Sequence, residues 1–144
     1  VYNLCRSNNR YYRSIGQRPS KQRLTEVISE VPASAESSQK FFVGFYDDEQ
    51  LIAIMNLITG YPEKDDAFIG WFMVNADMQG KGIGSPIFAA VRSSLNAAGF
   101  EKISLGCVKE NAEAIAFWES QGFAPTGEQT QSGRHTVLTY ERKI

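Results

Sequence analysis

The glycine-rich stretch Gln79–Gly84 has the composition of an anion-binding loop. Glycines alternate with other residues at Gly80, Gly82 and Gly84, between an apolar run that ends at Val74 and a segment of helical period. Glycine lets the main chain adopt conformations closed to other residues, and it has no side chain that would keep a ligand away from the amide N–H groups. The start of a helix offers free N–H groups and the positive end of the helix dipole, so phosphate groups bind there. The stretch therefore predicts a phosphate site.

Capping residues and apolar period predict the helix that follows this loop. Ser85 suits the N-cap, Pro86 suits the first helical position, and Gly99 ends the pattern. One face of the predicted helix carries apolar residues at steps of three and four, namely Ile87, Phe88, Val91, Leu95 and Ala98.

A glycine-rich loop between a strand and a helix also occurs in other folds. A dinucleotide-binding fold needs the spacing G-x-G-x-x-G and an acidic residue about 20 residues later. Here the glycines read G-x-G-x-G, and the next predicted strand ends in Cys107 and Val108. A P-loop needs a Lys-Ser or Lys-Thr pair, and none follows Gly84. On the loop alone, a tight structural turn into a core helix remains an alternative.

A second motif lies downstream, across the last predicted helix. It has the spacing N-x-x-A-I-x-F-W-x-x-x-G-F, formed by Asn111, Ala114, Ile115, Phe117, Trp118, Gly122 and Phe123. With both motifs in this order, the sequence resembles the GNAT superfamily of acetyltransferases. That family has a pyrophosphate loop Q/R-x-x-G-x-G/A, matched by Gln79, Gly82 and Gly84, and a later helix N-x-x-A-x-x-F-Y-x-x-x-G-F, matched at every marked position except Trp118.

The resemblance implies a mixed α/β fold with a central, mostly antiparallel sheet, flanking helices and one splayed pair of parallel strands. We expect this pair at Ala67–Val74 and Lys102–Val108, and the resemblance in element order extends from Phe41 to Tyr140. Family members lay the pantetheine arm of acetyl-coenzyme A in the gap between these two strands. Acetyl-coenzyme A is therefore the expected co-substrate, and no metal is expected.

The resemblance also implies which residues bind acetyl-coenzyme A. Main-chain groups near the end of the first parallel strand would bind the pantetheine amides, the glycine loop would hold the pyrophosphate, and the second motif would line the other side of the channel. The expected cofactor-binding residues are Met73, Val74, Gln79, Gly80, Lys81, Gly82, Ile83, Gly84, Ser85, Asn111, Ala114 and Phe117. A plain helix N-cap is a second interpretation of Asn111, compatible with the first, and core packing is a second interpretation of Phe117.

The catalytic residues are not predicted. Many relatives have a tyrosine at the position of Trp118 that is thought to protonate the departing thiolate, whereas an indole has no proton that titrates in the useful range. Asp65 and Asp66 precede a strand, while ligands gather at the carboxyl ends of parallel strands, so we discount both. By residue type alone the candidates are Tyr11, Tyr12, Cys107, His135 and Tyr140, each of which has an ordinary structural interpretation.

The remaining elements follow from pattern and turn signals. We expect a helix followed by a loop over residues 1–12, a second helix from an N-cap at Ser20 to a stop before Pro32, and a loop over residues 33–39. A hairpin is predicted for Phe41–Tyr46 and Leu51–Thr59, and another for the tail, residues 123–131 and 134–142. A strand, helix, strand order around the glycine loop implies a right-handed parallel crossover. Ala112–Gln121 is predicted as the last helix.

Size and composition set further limits. The 144 residues, 42% of them hydrophobic, with a formal charge of -1, predict one domain of an ordinary soluble protein without nucleic-acid or membrane partners. Two distant cysteines, one histidine and no apolar span or signal pattern favour a reduced, cytoplasmic protein. A homodimer is compatible with the sequence. Because the chain opens at Val1 without a methionine, an upstream strand could be missing.

Together these features predict an N-acetyltransferase that moves an acetyl group from acetyl-coenzyme A to a primary amine of a small molecule or protein, by direct attack on the thioester. The first two helices and the last hairpin would hold the acceptor. The alternative is an acyl-coenzyme A sensor or interaction domain with little catalysis. Basic residues crowd the N-terminal segment and indicate mainly a solvated face, with contact to an anionic acceptor as the minor interpretation: Arg6, Arg10, Arg13, Arg18, Lys21 and Arg23.

Overall fold

A computed structural model describes residues 1–144 as one six-stranded sheet with helices on both faces. The strands are β1 (Lys40–Asp47), β2 (Gln50–Thr59), β3 (Asp66–Val74), β4 (Lys102–Val108), β5 (Ala124–Ser132) and β6 (His135–Lys143). The helices are α1 (Tyr2–Ser7), α2 (Asn9–Ser14), α3 (Lys21–Ser29), α4 (Gly84–Ala97) and α5 (Ala112–Ser120), with short 3₁₀ turns at Ser37–Gln39 and Ala76–Met78.

The sheet has the order β1-β2-β3-β4-β6-β5, and only the β3–β4 pair is parallel. The chain passes from β3 to β4 through α4, as a parallel connection requires. This mixed sheet, with one parallel pair among antiparallel neighbours, confirms the predicted fold class.

Both hairpins form where the turn signals place them. In the first, Asp47 pairs with Gln50, so the turn itself is only Asp48 and Glu49, with Asp48 at φ 51°. The second hairpin turns between Ser132 and His135. The predicted hairpins are thus confirmed. The strands of the first are slightly longer than predicted, and those of the second are shifted by one residue toward the C-terminus.

The central strands separate two hydrophobic cores. On β2, Ile54 packs on one side and Met55 on the other, and neither is exposed. The main core, under α4 and α5, consists of Met55, Leu57, Ala67, Ile69, Phe88, Leu95, Ile103, Leu105, Cys107, Trp118, Phe123 and Tyr140. The second core, under α1 to α3, consists of Leu4, Cys5, Tyr12, Leu24, Ile54 and Met73. Because side chains alternate along a strand, burial on both faces requires the nearly continuous apolar runs seen in β2 and β3.

The N-terminal segment corrects one prediction. It forms two short helices, α1 and α2, instead of one helix and a loop. Asn8 separates them and is buried, with its Nδ2 donating to the carbonyl oxygens of Leu4 (3.0 Å) and Val74 (3.1 Å). The bond to Val74 ties this break to the end of β3, a tertiary contact that a local sequence pattern does not contain.

The helix α3 confirms its predicted N-cap and ends earlier than expected. Ser20 accepts a hydrogen bond from the main-chain N–H of Arg23 at 3.1 Å. The helix stops at Ser29, and Glu30 is already extended, with φ -63° and ψ 136°. Val31 therefore lies outside the helix.

Three further features of the whole molecule bear on function. No helix is both long and apolar enough to cross a membrane. Cys5 and Cys107 are both buried and free. No group of three or more histidine, cysteine, aspartate or glutamate side chains is placed to hold a metal ion.

The main core should dominate the stability of the fold. Phe88, on α4, is 1% exposed and contacts the rings of Trp118 and Phe123, whereas Phe41, on the edge strand β1, is 48% exposed. We expect Phe88→Ala to lower the free energy of unfolding by about 3–5 kcal/mol and Phe41→Ala by less than about 1 kcal/mol. Urea unfolding of both variants measures the difference, and equal midpoints would contradict this assignment of the core.

Candidate functional site

A cleft opens where the two parallel strands separate. β3 and β4 pair only from Asp66 opposite Lys102 to Ile69 opposite Leu105. Beyond this point β3 stays paired with β2, and β4 stays paired with β6, so a gap forms between residues 70–74 and 106–108. The expected splayed pair is present, and the gap widens toward the carboxyl ends of both strands.

The alternation of β3 decides which main-chain groups face this gap. Alternate residues of a strand direct their main-chain N–H and C=O groups to opposite sides. The N–H of Asn75 donates to the carbonyl oxygen of Ile52 at 2.8 Å, so Met73, two residues earlier, also directs its main-chain groups toward β2. Phe72 and Val74 direct theirs toward the gap. The side chain of Met73 is buried in the second core.

The glycine loop presents a row of free N–H groups at the mouth of the cleft. No main-chain N–H from Gly80 to Ser85 donates to another group of the protein. Gly80 and Gly82 have φ of 75° and 74°, and a Cβ at either would meet no atom within 4 Å. The space above the loop is therefore open, and the N–H groups adjoin the positive end of the 14-residue helix α4. Such a row is suited to an anion.

The start of α4 differs from the prediction. The helix begins at Gly84 with Ile83 as its N-cap, so Ser85 is not the cap and Pro86 is the third helical residue. A Cβ on Gly84 would lie 3.0 Å from Cε2 of Phe117, which explains the glycine by close packing of α4 on α5. The hydroxyl of Ser85 accepts a hydrogen bond from Nε2 of Gln121 at 2.8 Å. The first turn of α4 is therefore held by its contacts with α5 and Gln121, and it has no side-chain N-cap hydrogen bond.

Gln79 anchors the loop through its side chain. Its Nε2 donates to Oδ1 of Asn8 at 2.5 Å and to the carbonyl oxygen of Val74 at 2.9 Å. Lys81 is exposed and makes no ion pair. The side chain of Gln79 therefore ties the loop to the end of β3 and to the break between α1 and α2.

The other wall of the cleft is the start of α5. Oδ1 of Asn111 accepts a hydrogen bond from the N–H of Ala114 at 3.2 Å, which confirms its interpretation as an N-cap. The Nδ2 of Asn111 has no partner in the protein, and Asn111, Ala114 and Phe117 all line the cleft. A donor and an apolar surface are thus available to a ligand on this side.

Trp118 belongs to an aromatic cluster at the base of the cleft. It is buried, and its ring centroid lies 4.9 Å from that of Phe117, 5.2 Å from Phe123, 5.5 Å from Phe88 and 5.8 Å from Phe72. Edge-to-face contacts of this kind add stability beyond burial. The indole therefore has a clear packing role.

Only four ionisable side chains line the cleft, namely Arg10, Tyr11, Glu110 and Glu113. Arg10 of α2 and Glu113 of α5 form an ion pair of 2.6 Å between the two walls. Tyr11 is half-buried, burial raises the pKa of its phenol, and its hydroxyl has no hydrogen-bond partner in the protein. Tyr11 therefore keeps its proton at neutral pH.

The other candidates by residue type lie elsewhere. Tyr12 packs in the second core, and His135 stands at the turn of the last hairpin. Cys107 is buried in the main core, and burial raises the pKa of its thiol to about 11. Tyr140 is buried there too, with its hydroxyl 3.4 Å from Oε1 of Glu119. Asp66 starts β3, at the closed end of the parallel pair, and lies 3.4 Å from Nζ of Lys102.

The sequence predicts that the first helices hold the acceptor and gives Tyr11 as a candidate by residue type, but it does not identify the other residues of α1 and α2 that line the cleft. Ser7, Asn8, Arg10, Tyr11 and Ser14 line it. None belongs to a motif, and only the spacing of Arg10, Tyr11 and Ser14 on one helix face is a signal that could have grouped them.

The whole cleft has a volume of about 730 Å³. Phe72, Met73, Val74, Gln79, Gly80, Gly82, Ile83, Gly84, Ser85, Asn111, Ala114 and Phe117 line it, and of the expected cofactor-binding residues only Lys81 does not. A groove of this volume, with an N–H row at one end and apolar walls, fits a long ligand that carries an anionic group.

The chain matches a known protein family. Residues 1–123 match the family model of the acetyltransferase (GNAT) family. No curated protein sequence matches the chain.

Solved structures of similar fold include several acetyltransferases. An acetyltransferase from Thermus thermophilus shares 20% identity at a TM-score of 0.78, over 99% of this chain and 88% of that one. The ribosomal-protein-S18-alanine N-acetyltransferase from Escherichia coli shares 18% identity at a TM-score of 0.71, over 99% of this chain and 84% of that one. The PaiA N-acetyltransferase from Thermoplasma acidophilum, in complex with coenzyme A, shares 17% identity at a TM-score of 0.69, over 99% of this chain and 90% of that one. Since the family model covers residues 1–123 of 144, the chain belongs to the GNAT family of acetyltransferases and is an acyltransferase.

Proposed function

We propose that this protein binds acetyl-coenzyme A in the cleft between β3 and β4 and transfers its acetyl group to a primary amine of a small molecule or protein. The observation that carries this proposal is the row of unpaired N–H groups from Gly80 to Ser85 at the start of α4. A pyrophosphate is the part of acetyl-coenzyme A that such a row would hold. The T. acidophilum structure, which contains coenzyme A, supports the same assignment.

The rest of the ligand would follow the gap inward from this loop. The main-chain groups of Phe72 and the N–H of Val74, which face the gap, would meet the pantetheine arm from the β3 side. The predicted Met73 directs its main-chain groups toward β2, so it would border the arm without a main-chain hydrogen bond to it. Asn111, Ala114 and Phe117 would meet it from the α5 side, with the free Nδ2 of Asn111 as a donor. The ligand's own amides would then replace the pairing that β3 and β4 lose beyond Ile69 and Leu105.

The reaction requires a neutral amine, a polarised thioester carbonyl and a leaving thiolate. The amine nitrogen attacks the carbonyl carbon, the C–S bond breaks with its electron pair moving to sulfur, and the nitrogen loses a proton. Binding both substrates in one cleft makes the bimolecular step effectively intramolecular, and this proximity would supply much of the rate enhancement. The carboxylate of Glu110, which has no ion-pair partner and lines the cleft, would attract an amine that arrives protonated. Such an amine would give its extra proton to water before it attacks.

Tyr11 is the group we assign to protonate the leaving sulfur. Since Trp118 cannot supply a titrating proton, another donor is needed, and Tyr11 is the only side chain lining the cleft that combines an O–H with a titrating proton at high pH. Its raised pKa keeps the phenol protonated over the pH range in which amines become neutral. The proton lost by the amine returns the phenolate to phenol, so the cycle is balanced.

A coenzyme A sensor with little catalysis is the second candidate. The packing of Trp118 in the aromatic cluster and the lack of a histidine, cysteine or aspartate in the cleft favour it. It predicts ligand binding without release of thiol, which separates it from the transferase.

Binding and turnover test the proposed function directly. We expect acetyl-coenzyme A to raise the melting temperature, with NAD and ATP as controls that give smaller shifts, because only a ligand that binds the folded state stabilises it. Thiol release against a panel of primary amines should then follow. A selective shift without release for any amine would favour the sensor, and no shift would contradict both functions.

A charged side chain placed in the glycine loop tests whether the loop holds the phosphate groups of coenzyme A. Gly82→Asp should weaken the binding of coenzyme A by at least about tenfold, because it places a carboxylate among N–H groups that would hold a phosphate. Gly99→Asp is a matched control, since Gly99 also has a positive φ (93°) and open space around it but lies at the far end of α4. Calorimetric titration measures both variants. Equal affinities of the two would show that the loop does not hold the phosphates.

The role of Tyr11 is tested by Tyr11→Phe, which keeps the ring and removes the hydroxyl. We expect kcat to fall by about 100-fold, at the lower end of general acid catalysis, with KM for acetyl-coenzyme A unchanged within about twofold. Tyr46→Phe, exposed on β1, is the control. With an acetyl thioester of a more acidic aromatic thiol, the ratio of parent to variant rates should approach one, because that thiolate leaves without a proton. An unchanged kcat with acetyl-coenzyme A would rule out proton donation by Tyr11.

A further inference from the structure

A second cavity lies on the far side of the N-terminal helices and is basic. It has a volume of about 670 Å³ and is lined by Tyr2, Arg6, Asn9, Tyr12, Arg13, Gly16, Gln17, Arg18 and Pro19. Three of these nine residues are arginines and none is acidic. The α1 and α2 helices and the loop before α3 supply the whole lining.

The positive charge in this cavity is uncompensated. Arg6, Arg13 and Arg18 form no ion pair, although Arg10 and Arg23 nearby in sequence each do. No aspartate or glutamate precedes Glu26 in the chain. Guanidinium groups that line one cavity without a carboxylate make its potential positive, and an anion that binds there is attracted by all of them.

An aromatic ring holds two cations at the edge of the cavity. The guanidinium carbon of Arg6 lies 5.8 Å from the centroid of the Tyr2 ring, and Nζ of Lys21 lies 5.6 Å from the same centroid. Both are within the range of a cation–π contact. The ring thus adds a fourth cation, Lys21, to the three arginines and limits the positions that Arg6 can adopt.

This cavity is separate from the acetyl-coenzyme A cleft. On α2 it receives Asn9, Tyr12 and Arg13, whereas the cleft receives Arg10, Tyr11 and Ser14. At 3.6 residues per turn these two sets lie on opposite faces of the helix. A ligand of the cavity therefore does not compete for the groups that line the cleft.

We propose that this basic cavity is a binding site for an oxyanion, a carboxylate or phosphate group of a small molecule, held by Arg6, Arg13 and Arg18. Planar guanidinium groups suit both ligands, because each offers paired N–H donors to two oxygens of one anionic centre. The site is distinct from the proposed acetyl transfer and does not depend on it.

Titration of the protein with inorganic phosphate and, separately, with citrate tests the site. The protein is first saturated with coenzyme A, so that the cleft cannot contribute. We expect saturable binding of at least one anion with a Kd of about 1 mM or tighter at low ionic strength, weakening as salt is added. Binding of phosphate alone would identify a phosphate site, and binding of citrate alone a carboxylate site. No saturable binding of either would overturn the proposal.

Matched variants locate the binding. Arg13→Gln and Arg18→Gln should each weaken it by about fivefold, which is the effect of losing one charged contact of roughly 1 kcal/mol. Arg134→Gln removes the same charge from the exposed turn of the last hairpin, which is not part of the cavity, and should leave binding unchanged. Equal losses in all three variants would show a general charge effect and overturn the site. Failure of coenzyme A to bind would instead contradict the cofactor cleft, and the anion titration with these variants would still be decisive.

Discussion

The separation of β3 from β4 is the constraint on which the rest of the site depends. Four residue pairs hold the two strands together, from Asp66 and Lys102 to Ile69 and Leu105, and each strand then keeps only its outer neighbour. Outer pairing satisfies half of the main-chain groups, and the inner half faces the gap, where the carbonyl oxygen of Val74 already accepts from Asn8 and Gln79. Main-chain N–H and C=O groups pair as well with the amides of a ligand as with those of another strand, so the gap suits an occupant with amides of its own. This geometry supports the proposed binding of an extended ligand with amides, such as a pantetheine arm.

The N-terminal helices are coupled to this gap by a few polar contacts. Asn8, at the break between α1 and α2, donates to the carbonyl oxygen of Val74 and accepts from Gln79. Ser7 adds a contact by accepting from the N–H of Ala76 at 3.1 Å. One small network thus joins the helix break, the end of β3 and the glycine loop. The wall that carries Tyr11 is held in place by the same groups that shape the anion site.

The sequence predicts the features that depend on neighbouring residues, and it does not predict those that depend on contacts distant in the chain. Hairpins, the glycine loop and the Asn111 cap depend on local chemistry, so their residue types predict them. The break at Asn8 and the true start of α4 at Gly84 depend on contacts with Val74 and Phe117, far away in sequence. No local pattern contains such contacts. The same reason explains why motif reasoning did not place Tyr11 in the cleft, since its helix is brought there only by tertiary packing.

The two sides of the cleft differ in how they recognise a ligand, and this difference decides what can be inferred about function. The acyl donor side consists largely of main-chain groups, which need glycine at Gly80 and Gly82 but otherwise tolerate many side chains. Family motifs therefore mark it well. The wall to which we assign the acceptor consists of side chains from α1 and α2, where a change of residue alters chemistry without altering the fold. Trp118 illustrates this difference, because the indole packs in the aromatic cluster but has no proton to donate, and our proposal therefore assigns that role to Tyr11 on the opposite wall. In this proposal the scaffold retains its reaction while the acid lies on a different element of the same cleft.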